Sequence, residues 1–273
     1  MLVANARMYA VEATTDAAWR ALLAWVAQAA GVPMRYEPHA APAKLPALWR
    51  RDDLGCALMC GFPLATWHEA DAPRPVPLAA AIALDRAAPA GAVYRTAIVT
   101  SVERPFANIE ALRGARFAYT TPDSQSGYQA VREAVAERAR SNGGRWFGAL
   151  VGPLVTPRAV IDAVLRGDAD AGPLDGYWLA LLQAHEPATS ARLRVLGWTD
   201  WAPMPPFVCS AGVPASTRES IGAALIAAGR APALAGVRAT LRLAAIEPVE
   251  SASYDRLAAR ARAVDDLGYP SLQ

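Results

Sequence analysis

The sequence predicts an α/β protein built as two lobes, and three observations carry that expectation. Its 273 residues exceed what one hydrophobic core readily organises, so a division into two is expected. Apolar runs without strict alternation, at residues 54–63 and in Tyr94-Arg95-Thr96-Ala97-Ile98-Val99, are interleaved with amphipathic helical stretches. That pattern belongs to sheets covered on both faces. Between about residues 101 and 198, two strand–helix units of similar length stand in tandem, which sets their strand ends at corresponding positions.

Met1 to Tyr9 reads as a first strand. Thr14-Thr15-Asp16 then serves as a capping triplet for a helix with Trp19, Leu22, Leu23 and Val26 on one face. Gly31 stops that helix, with Pro33 beyond it. The strand at residues 54–63 breaks at Gly61 and passes into a short helix, and residues 78–84 and 94–101 read as further strands. Ile109-Glu110-Ala111-Leu112-Arg113-Gly114 is a short helix closed by glycine.

The strand Arg116-Phe117-Ala118-Tyr119 leads into Thr121-Pro122-Asp123-Ser124-Gln125-Ser126-Gly127-Tyr128. Pro122 cannot continue a strand ladder, and Ser124 or Ser126 can cap the helix behind it. That helix reads Tyr128, Val131, Ala134, Val135, Arg138, at spacings of three and four. Thr156-Pro157 opens the next helix, with Pro157 suited to its first position, and Gly167 ends it. A short strand, Ala169-Asp170-Ala171-Gly172-Pro173-Leu174, delivers Asp175 to the start of a helix over 177–184, and residues 192–198 form another strand. A proline-rich connection at 202–208 precedes helices at 216–228, about 232–243 and 251–267.

Composition excludes several classes. The net charge is +2, Lys44 is the sole lysine, and no basic cluster carries interleaved aromatics, so nucleic acid is not an expected partner. No apolar run reaches the ~18 residues of a transmembrane helix. The N-terminus lacks the basic start, apolar centre and small-residue cleavage site of a secretory signal. The expected location is therefore cytoplasmic as written, or periplasmic if a leader has been removed. Cys56, Cys60 and Cys209 have no metal-ligand spacing and read as core thiols. His39, His68 and His185 are scattered, and no phosphate-loop, dinucleotide or nucleophile-elbow motif is present. No cofactor, metal site or catalytic residue is expected.

The Ser/Gly turn is the chemically expressive segment. The first turn of a helix carries N–H groups without intrahelical acceptors and the positive end of the dipole, which together attract anions. Ser124, Gln125 and Ser126 add uncharged donors beside Gly127 and Tyr128. The plain alternative is that the serines only cap the helix. Asp175 has the same two readings, as a ligand-facing carboxylate and as the cap for Gly176-Tyr177-Trp178. Tyr9, Phe62, Tyr94, Tyr128, Trp198 and Phe207 are aromatic candidates for site walls or for the core.

Three segments resemble one known family: residues 112–118, Asp123-Ser124-Gln125-Ser126-Gly127-Tyr128, and residues 163–172 followed by Asp175. In order and spacing they are similar to the phosphate/phosphite/phosphonate-binding proteins of ABC importers. The resemblance covers essentially the whole chain. It implies a type II periplasmic-binding-protein fold, with two mixed-sheet lobes joined by two crossover strands and closing on ligand. Tyr94 resembles the tyrosine that the family places on the first crossover strand. Arg7-Met8-Tyr9, Cys60-Gly61-Phe62-Pro63-Leu64 and Leu196-Gly197-Trp198-Thr199 are similar to a leaderless branch.

The chain departs from the family in one place. A Ser-His pair ordinarily precedes the helix at Ala159, whereas here the matching residues are Thr156-Pro157, followed by Arg158. Thr156 keeps a hydroxyl, and the imidazole is gone. Arg158 could restore a charge, but on a first helical turn it is expected to face solvent.

The resulting expectation is a non-enzymatic binding protein that captures a small oxyanion between its lobes. Lobe one comprises 1–98 and 200–273, and lobe two 99–199. Ser124, Gln125, Ser126, Gly127, Tyr128, Tyr94, Asp175, Thr156, Tyr9 and Phe62 would form the site, and an ABC permease is the partner the resemblance implies. Two alternatives are an enzyme on the same fold acting on a small heteroaromatic or amine metabolite, and a cytoplasmic ligand sensor. The enzyme would need Cys60 or His68 in the site.

Overall fold

In the computed structural model, residues 1–68, 70, 72–85 and 87–273 are described. Among them the strands are β1 (Leu2–Asn5), β2 (Met34–Tyr36), β3 (Leu54–Leu58), β4 (Val76–Ala83), β5 (Val93–Tyr94), β6 (Thr96–Ser101) and β7 (Arg116–Ala118). They continue with β8 (Ala149–Val151), β9 (Ala171–Asp175), β10 (Leu193–Trp198), β11 (Ala202–Pro203), β12 (Pro206–Cys209) and β13 (Leu243–Pro248). The helices are α1 (Ala13–Ala30), α2 (Leu45–Trp49), α3 (Gly61–Ala65), α4 (Ala130–Ser141) and α5 (Pro157–Arg166). After them come α6 (Gly176–His185), α7 (Pro187–Ser190), α8 (Ala215–Ala228), α9 (Ala235–Thr240) and α10 (Ala252–Asp266).

The chain divides into two compact units, Met1–Val93 with Pro203–Asp255 and Tyr94–Ala202 with Arg256–Gln273. It passes from one to the other within β5, beside Ala202, and again inside α10. The segment from Arg256 onward thus groups with the second unit, where the sequence places it in lobe one.

The first unit holds a six-stranded sheet of order β13-β4-β12-β3-β1-β2. β1 runs parallel to β2 and β3, while β12 and β13 run antiparallel to their neighbours. The first strand is shorter than expected. Asn5 Oδ1 accepts the Arg7 amide (2.9 Å), which turns the chain into a single 3₁₀ turn at Arg7–Tyr9.

The cap of α1 is Glu12, not the Thr14-Thr15-Asp16 triplet. Its carboxylate accepts from the Thr14 and Thr15 amides (2.6 and 2.8 Å), and the Glu12 amide donates to Thr15 Oγ1 (3.0 Å). This is a capping box with the acid and the hydroxyl exchanged. Gly31, at φ 64°, ends the helix as expected.

The proline-rich connection contains β12, which lies between β3 and β4 in the middle of the sheet. Pro206 is tolerated there as the first strand residue, and its carbonyl accepts from the Met59 amide (3.0 Å). The helix expected over 232–243 ends at Thr240, and the strand β13 follows. Its partner β4 lies about 160 residues earlier, beyond the reach of any local pattern.

The second unit holds the sheet β10-β6-β9-β7-β8. β7 runs parallel to both β8 and β9, and β6 runs antiparallel to β9 and β10. Stacked Phe117 and Phe147 (centroids 4.2 Å apart) centre a core that also takes in Val264, Tyr269 and Leu272. The Arg132 side chain, 4% exposed, anchors that C-terminal segment. It donates to Asp265 Oδ1 (2.5 Å) and to the carbonyls of Tyr269 and Ala261 (3.0 Å each).

Candidate functional site

Because β7, β8 and β9 are adjacent and parallel, their C-terminal ends lie at one edge of the second sheet. Each feeds a helix. The segment after β7 enters a π-helical turn, Gln125–Gln129, that runs on through helical dihedrals into α4. The segment after β8 enters α5 through Thr156, and β9 enters α6 through Asp175. Three helix N-termini therefore gather at one sheet edge, where open α/β sheets bind ligands. Leu154 and Val155 amides donate to the carbonyls of Tyr119 and Thr120 (3.0 Å each), which ties the first two of these loops together.

Ser124 is the cap of the first helix: its Oγ accepts from the Gly127 amide (3.0 Å). The Gln129 amide donates to the Ser124 carbonyl (3.0 Å), five residues back, so the first turn is wider than an α-turn. Gln125 is buried and Ser126 half-buried. Gly127 is dictated by packing, since a Cβ there would lie 1.8 Å from Thr120 Oγ1 and 2.9 Å from Ser124 Oγ. Tyr128 faces the core, and its hydroxyl accepts from the Leu272 amide (2.8 Å).

Thr156 caps α5 through Oγ1, which accepts from the Ala159 amide (3.2 Å), with Pro157 at the first helical position. Asp175, 7% exposed, accepts from the Tyr177 and Trp178 amides (2.8 and 3.1 Å), so the capping role is realised. Arg158 departs from its solvent-facing expectation. Its guanidinium pairs with the Glu186 carboxylate and lies 5.5 Å from the centre of the Trp178 ring. Glu186 follows α6, so no spacing rule links it to Arg158.

The start of β6 belongs to the same sheet edge, since Thr96 is in register with Asp175. Tyr94, 4% exposed, therefore stands at the approach to that edge. Its neighbour Arg95 lies 4.3 Å from the Trp198 ring centre and 4.7 Å from that of Trp201. Sequence reasoning missed this stack because its members come from separate strand ends.

Tyr9 and Phe62 lie in the first unit, just beyond the C-terminal ends of the adjacent parallel strands β1 and β3. Tyr9 is buried, with its carbonyl accepting from Trp19 Nε1 (3.1 Å), and Phe62 is half-buried in α3. Phe207 is a core residue, edge-on to Trp19.

Cys56, Cys60 and Cys209 are buried thiols outside any disulfide. Burial pushes the Cys56 thiol far up and that of Cys209 to about 11, so neither forms a thiolate near neutrality. His68 is exposed, and among the described residues no group of three or more His, Cys, Asp or Glu side chains could hold a metal.

Comparison with known proteins agrees with this geometry. Residues 9–254 match the family described as ABC transporter, phosphonate, periplasmic substrate-binding protein, and the chain belongs to that family. It is a family of substrate-binding proteins, not of enzymes. The structure is similar to a binding-protein component of an ABC phosphonate transporter from Pseudomonas aeruginosa (TM-score 0.79, 14% identity, 98% of this chain and 87% of that one). It is also similar to a Prochlorococcus marinus protein in complex with methylphosphonate (0.74, 15%, 97% and 98%). A Rhodopseudomonas palustris protein with bound malate matches as well (0.63, 12%, 97% and 98%). At such identities these likenesses establish the fold alone, a type II binding-protein fold. No curated protein matches in sequence. No single helix among the described residues is long and apolar enough to cross a membrane.

Proposed function

We propose that this protein captures a small oxyanion of the phosphonate, phosphite or phosphate type for an ABC importer. The oxyanion sits on the first turn of the helix entered at Ser124. The observation that carries this reading is the gathering of three helix N-termini at one edge of the second sheet, in a chain of the phosphonate-binding family. Ser124, Gln125, Ser126 and Thr156 supply hydroxyl, amide and backbone donors, with Tyr94 at the approach and Asp175 beside them. Tyr9 and Phe62 are the contributions proposed from the first unit.

Neutral donors suffice for such a ligand, because a hydrogen bond to a charged oxygen contributes about 1.5–3 kcal/mol. They also stand in for the lost imidazole, since Pro157 occupies the histidine position of the family pattern and Glu186 takes the charge of Arg158. The family relation further supports a permease partner and a periplasmic place of work.

Isothermal titration with methylphosphonate, 2-aminoethylphosphonate, phosphite, phosphate, sulfate and malate tests the reading. At least one of the phosphorus oxyanions binds, and Ser126→Ala weakens it about tenfold or more, the loss of one such hydrogen bond. Binding of malate in place of every phosphorus oxyanion would refute the assignment.

A further inference from the structure

We propose that Arg7 contacts the oxyanion and is the charged donor that the first unit brings to it, a role that rests on the reading above. Arg7 opens the 3₁₀ turn just beyond the C-terminal end of β1, the turn that also carries Tyr9. The neighbouring strand β3 runs parallel to β1, so this turn stands at the kind of sheet edge where α/β folds bind ligands.

Arg7 is half-buried, and its guanidinium has no carboxylate partner among the described residues. Nη1 donates to the His39 carbonyl (2.8 Å) and the Ala43 carbonyl (2.5 Å), which holds the side chain to the connection between β2 and α2 without matching its charge. Nε and Nη2 have no partner among the described residues and keep exposed surface. The acids near it in sequence are taken: Glu12 caps α1, Asp16 pairs with Arg20, and Glu37 pairs with Arg35. Burial accordingly holds the Arg7 pKa below the ordinary guanidinium value, with no carboxylate to offset it. A cation that has lost part of its water without gaining a counter-charge raises the free energy of the ligand-free protein.

The group is also fixed in place. Asn5, 2% exposed, holds the backbone on both sides: Oδ1 accepts from the Arg7 amide (2.9 Å), and Nδ2 donates to the Glu37 carbonyl (2.8 Å). With Nη1 tied down, the Nε–Nη2 edge stays open, the fork that takes two oxygens of one anionic group. The same edge of Arg51 grips the Asp53 carboxylate (2.7 and 2.8 Å). Holding two carbonyls needs one nitrogen, which a lysine would supply as well. Arginine has a physical reason here if its second edge and its unmatched charge meet an anion, and the neutral donors of the second unit then gain a counter-charge.

The test is titration of Arg7→Gln and Arg7→Lys with methylphosphonate and inorganic phosphate, with melting curves to establish folding. Alongside it, the Arg7 Nε–H resonance of the parent is followed by NMR, identified by its absence from Arg7→Lys. Arg7→Gln binds about tenfold or more weakly, the loss of one charge-assisted hydrogen bond, and Arg7→Lys falls between it and the parent. The Nε–H resonance moves downfield on saturation with either probe, which an arginine that only ties the loop would not show. Unchanged affinity in Arg7→Gln, or an unmoved resonance, overturns the proposal, and where Arg7→Gln fails to fold the resonance decides. If Ser126→Ala loses binding while Arg7→Gln does not, the oxyanion reading stands and the role of Arg7 falls. If the parent binds neither probe, both fall.

Discussion

The behaviour of the serine turn is decided by contacts of a few ångströms. Ser124 caps the helix, the modest role its residue type suggests, and the same geometry aims a widened first turn at the sheet edge. Gly127 allows it, because any side chain there would collide with Thr120 Oγ1 at 1.8 Å. Gly127→Ala should therefore destabilise the protein by about 1–3 kcal/mol, as overpacked sites do, and lower its melting temperature by several degrees. Oxyanion affinity should fall with it, since relief of the clash moves either Thr120 or the turn. A variant with parental melting temperature and affinity would show that the close approach is easily relaxed.

At the scale of elements, α5 shows how a charge can stand near the proposed anion site and still be committed elsewhere. Thr156 and Pro157 start this helix for local reasons, a capping hydroxyl and a preset φ. Arg158 in its first turn is bound to Glu186, beyond the end of α6. Both side chains are partly exposed, 34% and 26%, so the pair contributes modestly. Arg158→Ala should cost about 0.5–1 kcal/mol in chemical denaturation and leave oxyanion affinity unchanged within about twofold. A tenfold loss of affinity would instead make Arg158 the replacement for the family's histidine.

At the scale of the whole molecule, the path of the C-terminal segment matters most. It crosses into the second unit inside α10 and is fastened by Arg132, whose side chain is almost fully buried. Gln129, on the turn that opens at Ser124, holds Arg132 from the other side, with its Oε1 accepting from Arg132 Nε (3.0 Å). Arg132→Met leaves the two carbonyls and Asp265 without their donor. The expected loss is about 2–3 kcal/mol in urea denaturation, less than for a fully buried pair because Asp265 is half exposed. A midpoint within error of the parent would show that the segment is held without Arg132, by the apolar contacts of Tyr269 and Leu272 and by hydrogen bonds such as that of the Leu272 amide to the Tyr128 hydroxyl.

The sequence by itself determined what rests on local physics. Gly31 and Gly167 end helices, Pro157 starts one, and the Ser124 turn follows a strand because Pro122 breaks it; all were legible from neighbouring residues. So were the α/β class and the family, carried by motifs whose order survives without coordinates. Tertiary structure alone decided what depends on residues far apart in the chain. β13 is a strand because β4 offers it an open edge, and β12 sits mid-sheet although it begins with proline. Glu186 claims Arg158, the C-terminal segment joins the second unit, and Thr120 becomes a buried hydroxyl only when Gly127 closes over it. Short-range steric and hydrogen-bond preferences act within a few residues, whereas pairing and burial are settled by partners that the fold brings together.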